Sequence, residues 1–375
     1  MPPGDRRWTR RPDSATTPTA PARGQLGLGK IRVQSLSERR SRCTTCGRTF
    51  AETRDTPSFR LKMPADLVTL VVTLLCHGCT RQAIVAASGR DERTVADWRD
   101  RAGRHGQHFH EHHVLRGQVE LGHVQADELD VKTVAGRVWM AMAMAVPPRL
   151  WLGGVIGPKR DLALITVVVR MVRSAARSLA FLVCVAGLAS SVTAFTRVCR
   201  DPQRTGRRGR PRLVATAGLV LGQVIKHHAG RCVVGVTRRV VRGTAAALQA
   251  TGTGTRINTA SIERLNATCR GALTPRVRRG RALARGVGTL TAGMDLVGCA
   301  SNFCWVHESL RVAASAGAGR KWRERTPAMA AGLTDHAWTM RECLSHPIPL
   351  PPRVSPKRRG RPPKRSQAAI PALAT

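Results

Sequence analysis

The chain has 375 residues, enough for a sizeable core and for two or three domains. Its 62 Lys plus Arg against 23 Asp plus Glu leave a formal charge of +39, which points to a polyanionic partner: nucleic acid or an anionic membrane surface. Arginine far outnumbers lysine, as bidentate phosphate contacts favour and as a GC-rich genome would also produce. The longest apolar stretches, near Leu67–Cys79 and Leu162–Val172, fall short of the roughly 18 to 20 residues of a membrane span. With no leader pattern at the start, a soluble cytoplasmic protein is expected, without a membrane partner. Eleven scattered cysteines then read as free thiols or metal ligands and not as a disulfide framework.

Residues 1–41 are rich in Pro, Thr, Ser and Arg and lack a hydrophobic period, so an irregular basic lead is expected. Over 42–63 the run Cys43-Thr-Thr-Cys46-Gly-Arg-Thr-Phe50 has the form of a metal knuckle, two thiolates on a tight turn with an aromatic behind them. One pair is half a tetrahedral zinc site, and residues 1–42 contain no cysteine. Cys76 and Cys79 form a second CxxC, which reads either as the other half or as packing thiols at a helix end.

Pro64 and Asp66 open a helix whose Leu67, Leu70, Val71, Leu74 and Leu75 follow the spacing of a buried stripe. Two shorter helical patterns, Thr80–Ser88 and Glu92–Gly103, flank Gly89-Arg90-Asp91, giving helix-turn-helix length and spacing within 64–117. Val95, Trp98 and Ala102 share the inner face of the second. Arg93, Asp97, Asp100 and Arg104 lie outward, either as a DNA-reading face or as a solvated face with Arg93 and Asp97 paired. His105, His108, His110, His112 and His113 read as a charged linker or as a collection of metal ligands.

From Val119 the period alternates. Val119–Asp127, Val138–Val146 and Leu150–Ile156 read as strands, Asp161–Arg177 as a helix, Leu179–Val185 as a doubly buried strand and Val192–Val198 as a helix. Residues 201–213 read as an exposed basic loop inside a basic insertion over 201–230. Cys232–Val241 reads as the last strand. Thr259 caps a helix with Ile262, Leu265 and Cys269 on one side and Glu263, Asn266 and Arg270 on the other.

This element order, over 118–312, is that of a ribonuclease-H-like domain. The expected fold is therefore α/β, a ribonuclease-H-like mixed sheet core preceded by a small helical helix-turn-helix region. In such a core, carboxylates on the first strand, the end of the fourth and a later helix converge on divalent metal. Asp127 fits the first position and Glu263 the third. On spacing alone either acid is more often a solvated surface carboxylate.

The wording around these acids carries a resemblance. His123-Val124-Gln125 before Asp127-Glu128, the run Asn258-Thr259-Ala260-Ser261-Ile262-Glu263-Arg264-Leu265-Asn266, Asn302-Phe303-Cys304-Trp305 with His307 and Ser309-Leu310-Arg311, and Arg325 to Gly332 closely resemble the DDE transposases of bacterial insertion sequences. The resemblance runs in order from about Arg23 to Lys364. It implies a zinc ribbon and helix-turn-helix that bind element ends, and a core that cuts and joins DNA with Mg²⁺ or Mn²⁺. It further implies Asp127 and Glu263 as catalytic metal ligands, Cys43 and Cys46 as zinc ligands, and homo-oligomers on paired ends. The partners are element-end and target DNA, with no small-molecule substrate, and the place is the bacterial cytoplasm, on the nucleoid when DNA-bound.

The sequence departs from that pattern where the second catalytic Asp belongs. Val185-Ala186-Gly187-Leu188 puts Ala186 there, and Asp161 and Asp201 sit in the wrong elements to replace it. A missing bridging carboxylate leaves about one positive charge uncompensated between two dications, so impaired chemistry or a purely DNA-binding remnant is expected. Finally, 313–375 forms an extension whose basic stretch Pro356–Arg365, with Arg358, Arg359, Arg361 and Lys364, resembles an AT-hook, as does Arg208–Pro211. A solvated basic tail that holds phosphates without preference is the alternative.

Overall fold

A computed structural model of the chain describes residues 31–348, apart from 117, 205, 207, 208, 217, 231, 245, 248–256, 274–285, 315–318 and 320. The AT-hook-like residues Arg208, Arg358, Arg359, Arg361 and Lys364 lie outside the described residues. The chain divides into two compact units, one of Met1–Glu52 with Pro349–Thr375 and one of Thr53–Ile348.

The described part of the first unit is a three-stranded antiparallel sheet of β1 (Ile31–Ser35), β2 (Arg40–Cys43) and β3 (Thr49–Ala51). Ile31, Cys43 and Phe50 form its small buried cluster, with Cys46 packed against it.

In the second unit three helices come first: α1 (Ala65–Cys76), α2 (Arg81–Ser88) and α3 (Glu92–His113). The buried stripe of α1 is Val68, Val71, Val72 and Cys76, while Leu70 is exposed. The expected leucine stripe is therefore rotated. The helix is apolar on nearly every side, so spacing alone could not choose the face. Helix α2 is capped by the Thr80 hydroxyl, which accepts from Ala83 N–H at 3.2 Å, and ends on Gly89 in the left-handed region at φ 62°. Asp91 caps α3 by accepting from Arg93 N–H at 2.8 Å.

Helix α3 runs ten residues past its expected end and takes in the histidine run, which is no linker. His105 donates from Nε2 to the Cys343 carbonyl at 2.9 Å, and His110 donates to the Leu152 carbonyl at 3.2 Å. Both are buried.

A six-stranded sheet follows, ordered β11-β10-β7-β4-β5-β6. Its strands are β4 (His123–Thr133), β5 (Gly136–Ala145), β6 (Leu150–Gly157), β7 (Leu182–Ala186), β10 (Val220–Ala229) and β11 (Cys232–Arg242). β4 is parallel to β7 and β7 to β10, while β5, β6 and β11 are antiparallel to their neighbours. Between β6 and β7 lies α4 (Leu162–Ala175), capped by Asp161, and after β7 comes α5 (Ala189–Val198). Two short strands, β8 (Arg200–Gln203) and β9 (Arg212–Ala215), pair with one another where a loop was expected. α6 (Ala260–Ala272) and α7 (Val287–Phe303) follow β11.

Two expectations change here. Val119 makes only an isolated bridge to Ala176, so the first core strand starts at His123, and Asp127 sits inside it and not at its end. Val220–Ala229, placed within a basic insertion, is a core strand. Its first half is continuously buried, Gln223 included, and its second half is largely basic and exposed, which hides the alternation of an ordinary strand.

Alternation along the strands sorts the layers. Val124, Ala126, Val183, Val185 and Leu221 share one cluster with Ile165, Val168 and Val172 of α4 and Phe195 of α5. Leu129, Val131, Met140, Met142 and Met144 share another with Ile262, Leu265 and Cys269 of α6 and Leu290 and Met294 of α7. Helices thus cover both faces of a mixed sheet. α3 lies against α7 closely enough that a Cβ on Gly103 would stand 2.5 Å from the Ala292 carbonyl. Among the described residues no helix is long and apolar enough to cross a membrane.

Candidate functional site

The strand register puts Asp127 beside Ala186. Val124, Gln125 and Ala126 of β4 pair in parallel with Val183, Cys184 and Val185, so the next step aligns Asp127 with Ala186. Paired residues share a face in a parallel ladder, and the Val183 and Val185 side chains lie in the opposite layer. A carboxylate at 186 would therefore stand on the same face as Asp127, at the end of β7.

Helix α6 is fixed over that face by a buried glutamine. Gln125, fully buried, accepts from Ile262 N–H at 2.9 Å through Oε1 and donates from Nε2 to Asn258 Oδ1 at 3.2 Å. Asn258 Oδ1 also accepts from Ala260 N–H at 3.2 Å. Thr259 was expected as the side-chain cap. Gln125 takes the Ile262 N–H that such a cap would accept from, and the Thr259 hydroxyl instead donates to Glu263 Oε1 at 2.7 Å.

One turn along, Asn266 is 2% exposed and donates from Nδ2 to Asp127 Oδ2 at 2.9 Å. Asp127 and Glu263 are thus brought to one site, each tied to α6. Burial first, with the charges of Glu128 and Glu263 added, pushes the Asp127 carboxyl up to about 6. Arg270, expected beside them, stands in the last turn of α6, away from the first turn that carries Glu263.

Strand β10 adds a residue that sequence reasoning passed over. Val224 pairs with Ala186, and Lys226, two positions further on, reaches Glu263 with Nζ at 2.5 Å from Oε1. Burial works against the Glu263 charge, but the bonds from Lys226 and Thr259 outweigh it and hold its carboxyl below the ordinary value. Both side chains stay partly open to solvent, 38% for Lys226 and 43% for Glu263. The overlooked signal was the strand itself, since Lys226 counts only once Val220–Ala229 is read as a core strand.

Glu128, adjacent in sequence, belongs to the other face. It is buried, bonded to Arg160 Nη2 at 2.9 Å and to the Ser191 hydroxyl at 3.0 Å. Asp161 spends its carboxylate on capping α4, accepting from Leu164 N–H at 2.9 Å, and Asp201 pairs with Val214 in the short β8–β9 ribbon. Neither stands in for Ala186.

These donors do not fit a pair of Mg²⁺ ions. Such a pair needs bridging oxygen ligands, and here the bridging position is a methyl group while one of the two remaining carboxylates already holds an ammonium. Among the described residues no group of three or more His, Cys, Asp or Glu gathers in a way that could hold a metal.

The expected zinc ligands meet the same test. Gly47 N–H donates to the Cys43 carbonyl at 2.8 Å and Cys43 N–H to the Arg48 carbonyl at 2.9 Å, which closes the turn that carries both thiols. Cys43 is buried beside Ile31 and Phe50. Their unit, Met1–Glu52 with Pro349–Thr375, has no further cysteine and no histidine, so it offers two thiolates where a structural zinc takes four ligands. Cys76 packs in the core of α1–α3, where burial and the nearby Cys304 push its thiol up.

The residues expected to face DNA lie on α3. Arg93, Asp97 and Arg104 are exposed, and Val95, Trp98 and Ala102 are buried, as the spacing requires. The ion pair on this face differs from the expected one: Asp97 Oδ2 binds Arg101 Nε at 2.7 Å, which leaves Arg93 outside that pair.

Neither a family model nor a curated protein matches the chain.

Proposed function

We propose that this chain is a transposase-type DNA-binding protein whose strand-transfer centre is incomplete. The observation that carries the reading is the meeting of Asp127 on β4, Glu263 on α6 and Ala186 at the end of β7 on one face of the sheet. Three further features support it. Taking β4, β5, β6, β7 and β10 as first to fifth, the sheet order is 3-2-1-4-5 with only the second strand antiparallel to both its neighbours, the order of a ribonuclease-H-like core. The pair α2–α3, with its Gly89 turn, has the build of a helix-turn-helix that presents Arg93 and Arg104. The +39 charge suits a phosphate backbone.

In this reading the partner is double-stranded DNA, held by arginine contacts, and the place of work is the bacterial nucleoid. Homo-oligomers on paired ends belong to the same reading, as does the AT-hook-like tail. Cleavage and joining are lost with the acid at 186, because two carboxylates cannot bridge the charge of two dications.

The test is a binding and strand-transfer assay on the full chain with DNA carrying the element's termini. Binding should weaken steeply with salt, and Mg²⁺-dependent joining should be undetectable in the wild type and measurable in Ala186→Asp carrying Lys226→Met. Efficient joining by the unaltered protein refutes the loss of chemistry, and weak, salt-insensitive binding refutes the DNA reading.

A further inference from the structure

We propose that the ammonium of Lys226 is the resident cation of this centre and that it excludes divalent metal from Asp127 and Glu263. The inference rests on reading those acids as the relic of a strand-transfer centre, and it goes beyond the absence of a carboxylate at 186. Loss of one acid only weakens a metal site. An ammonium bonded to a second acid competes for it.

The geometry is specific on three counts. Lys226 stands two residues past Val224, the partner of Ala186, and its Nζ lies 2.5 Å from Glu263 Oε1. Thr259 donates to the same oxygen at 2.7 Å, so that oxygen has two donors before any ion arrives. Asn266 turns its amide N–H, not its carbonyl, toward Asp127 Oδ2, so the second carboxylate is also served by a protein donor. One oxygen of each acid is thus engaged from within the chain, Glu263 Oε1 by a cation from β10 and the hydroxyl of the residue before α6, and Asp127 Oδ2 by a donor from α6. A dication entering here must either displace Lys226 from Glu263 Oε1 or bind the same carboxylate a few ångströms from its positive charge, a repulsion that persists in a partly solvated site.

The same two positions set the charge of this face. An aspartate at 186 and a neutral side chain at 226 would give three acids and no cation on this face. Ala186 and Lys226 give two acids and one cation, shifting the local charge by two units toward positive. A phosphodiester can approach such a centre without a metal to offset repulsion.

The experiment measures Mn²⁺ binding to the full-length protein from the loss of the free-ion electron paramagnetic resonance signal. Wild type, Lys226→Met, Lys226→Gln, Lys226→Arg, Ala186→Asp and the Ala186→Asp, Lys226→Met double variant are compared. Lys226→Met should bind Mn²⁺ at least about tenfold more tightly than wild type, and the double variant should exceed Ala186→Asp by a similar factor. Lys226→Arg keeps the cation and should bind as weakly as wild type, and Lys226→Gln removes the charge in a polar side chain and should bind as tightly as Lys226→Met, which keeps the comparison if the methionine variant does not fold.

Equal affinity of Ala186→Asp and the double variant would overturn the role of Lys226 while leaving the strand-transfer ancestry standing. Failure of the folded double variant to bind Mn²⁺ would overturn both, since Asp127, Glu263 and the carboxylate introduced at position 186 would then not form a metal centre at all. Lys226→Arg binding Mn²⁺ as tightly as Lys226→Met would also overturn the proposal.

Discussion

Asp295 gives the sharpest test of how the helices are packed. It lies on α7 at 8% exposure, on the side where α3 approaches so closely that a Cβ on Gly106 would stand 3.2 Å from the Asp295 carbonyl. Burial, with the charge of Glu111 added, pushes its carboxyl up to about 7 from 3.8. A raised native value means that the folded state keeps a proton the unfolded state has released. The contribution of Asp295 to stability is therefore at its fullest below pH 3.8 and is lost as pH rises to about 7. Each unit is worth about 1.4 kcal/mol, so a shift of this size amounts to about 4 kcal/mol. Asn is nearly isosteric and never ionises. Asp295→Asn should match wild type in urea midpoint near pH 4 and exceed it progressively up to pH 8, by about 4 kcal/mol before any loss of carboxylate hydrogen bonds. A stability difference that stays constant between pH 4 and pH 8 would refute the buried, protonated Asp295.

Two other predictions concern the same unit. Burial pushes His105, His110 and His123 down to about 4, so their contribution is full above pH 6.5 and falls by about 1.4 kcal/mol per unit per histidine as pH drops toward 4. Urea midpoints at pH 7 and pH 5 should show that fall, and His105→Gln with His110→Gln should shrink the difference between the two pH values. Arg93→Ala and Arg104→Ala, both on the exposed face of α3, should each lower DNA affinity and reduce the slope of log affinity against log salt by about 1, in a filter-binding titration. Unchanged slopes in both variants would remove α3 from the DNA interface.

Where the sequence has a strong period or a capping residue, the structure was legible. Asp161 before α4, Asp91 before α3 and the Met-Ala alternation of β5 all mark real elements. Asp127 was legible as an acid on a core strand and Glu263 as one on a later helix. What escaped has physical causes. α1 is apolar on almost all sides, so its buried face is set by the packing of Val68, Val71 and Val72 against Trp98 and Leu296 and not by its own period. The histidine run looks polar, yet in α3 two of its rings are buried as neutral donors to backbone carbonyls, an arrangement only long-range contacts reveal. β10 is half core and half exposed basic hairpin, and neither half has the signature of a strand.

That last omission changes the meaning of Ala186. With β10 unread, the site reads as two carboxylates left to repel one another. With β10 in place, Glu263 has its cation in Lys226, Asp127 has its donor in Asn266, and burial keeps the Asp127 carboxyl at about 6. The methyl group at 186 and the lysine at 226 then act in one direction, since neither adds negative charge facing an incoming phosphate and the lysine offsets some. Placing an acid at position 186 alone would add a carboxylate beside Asp127 with Lys226 still on Glu263, and the new acid would compete with Glu263 for the ammonium. The joining assay therefore needs both positions changed together, and a gain confined to the double variant separates a charge-compensated centre from one that merely lacks a ligand.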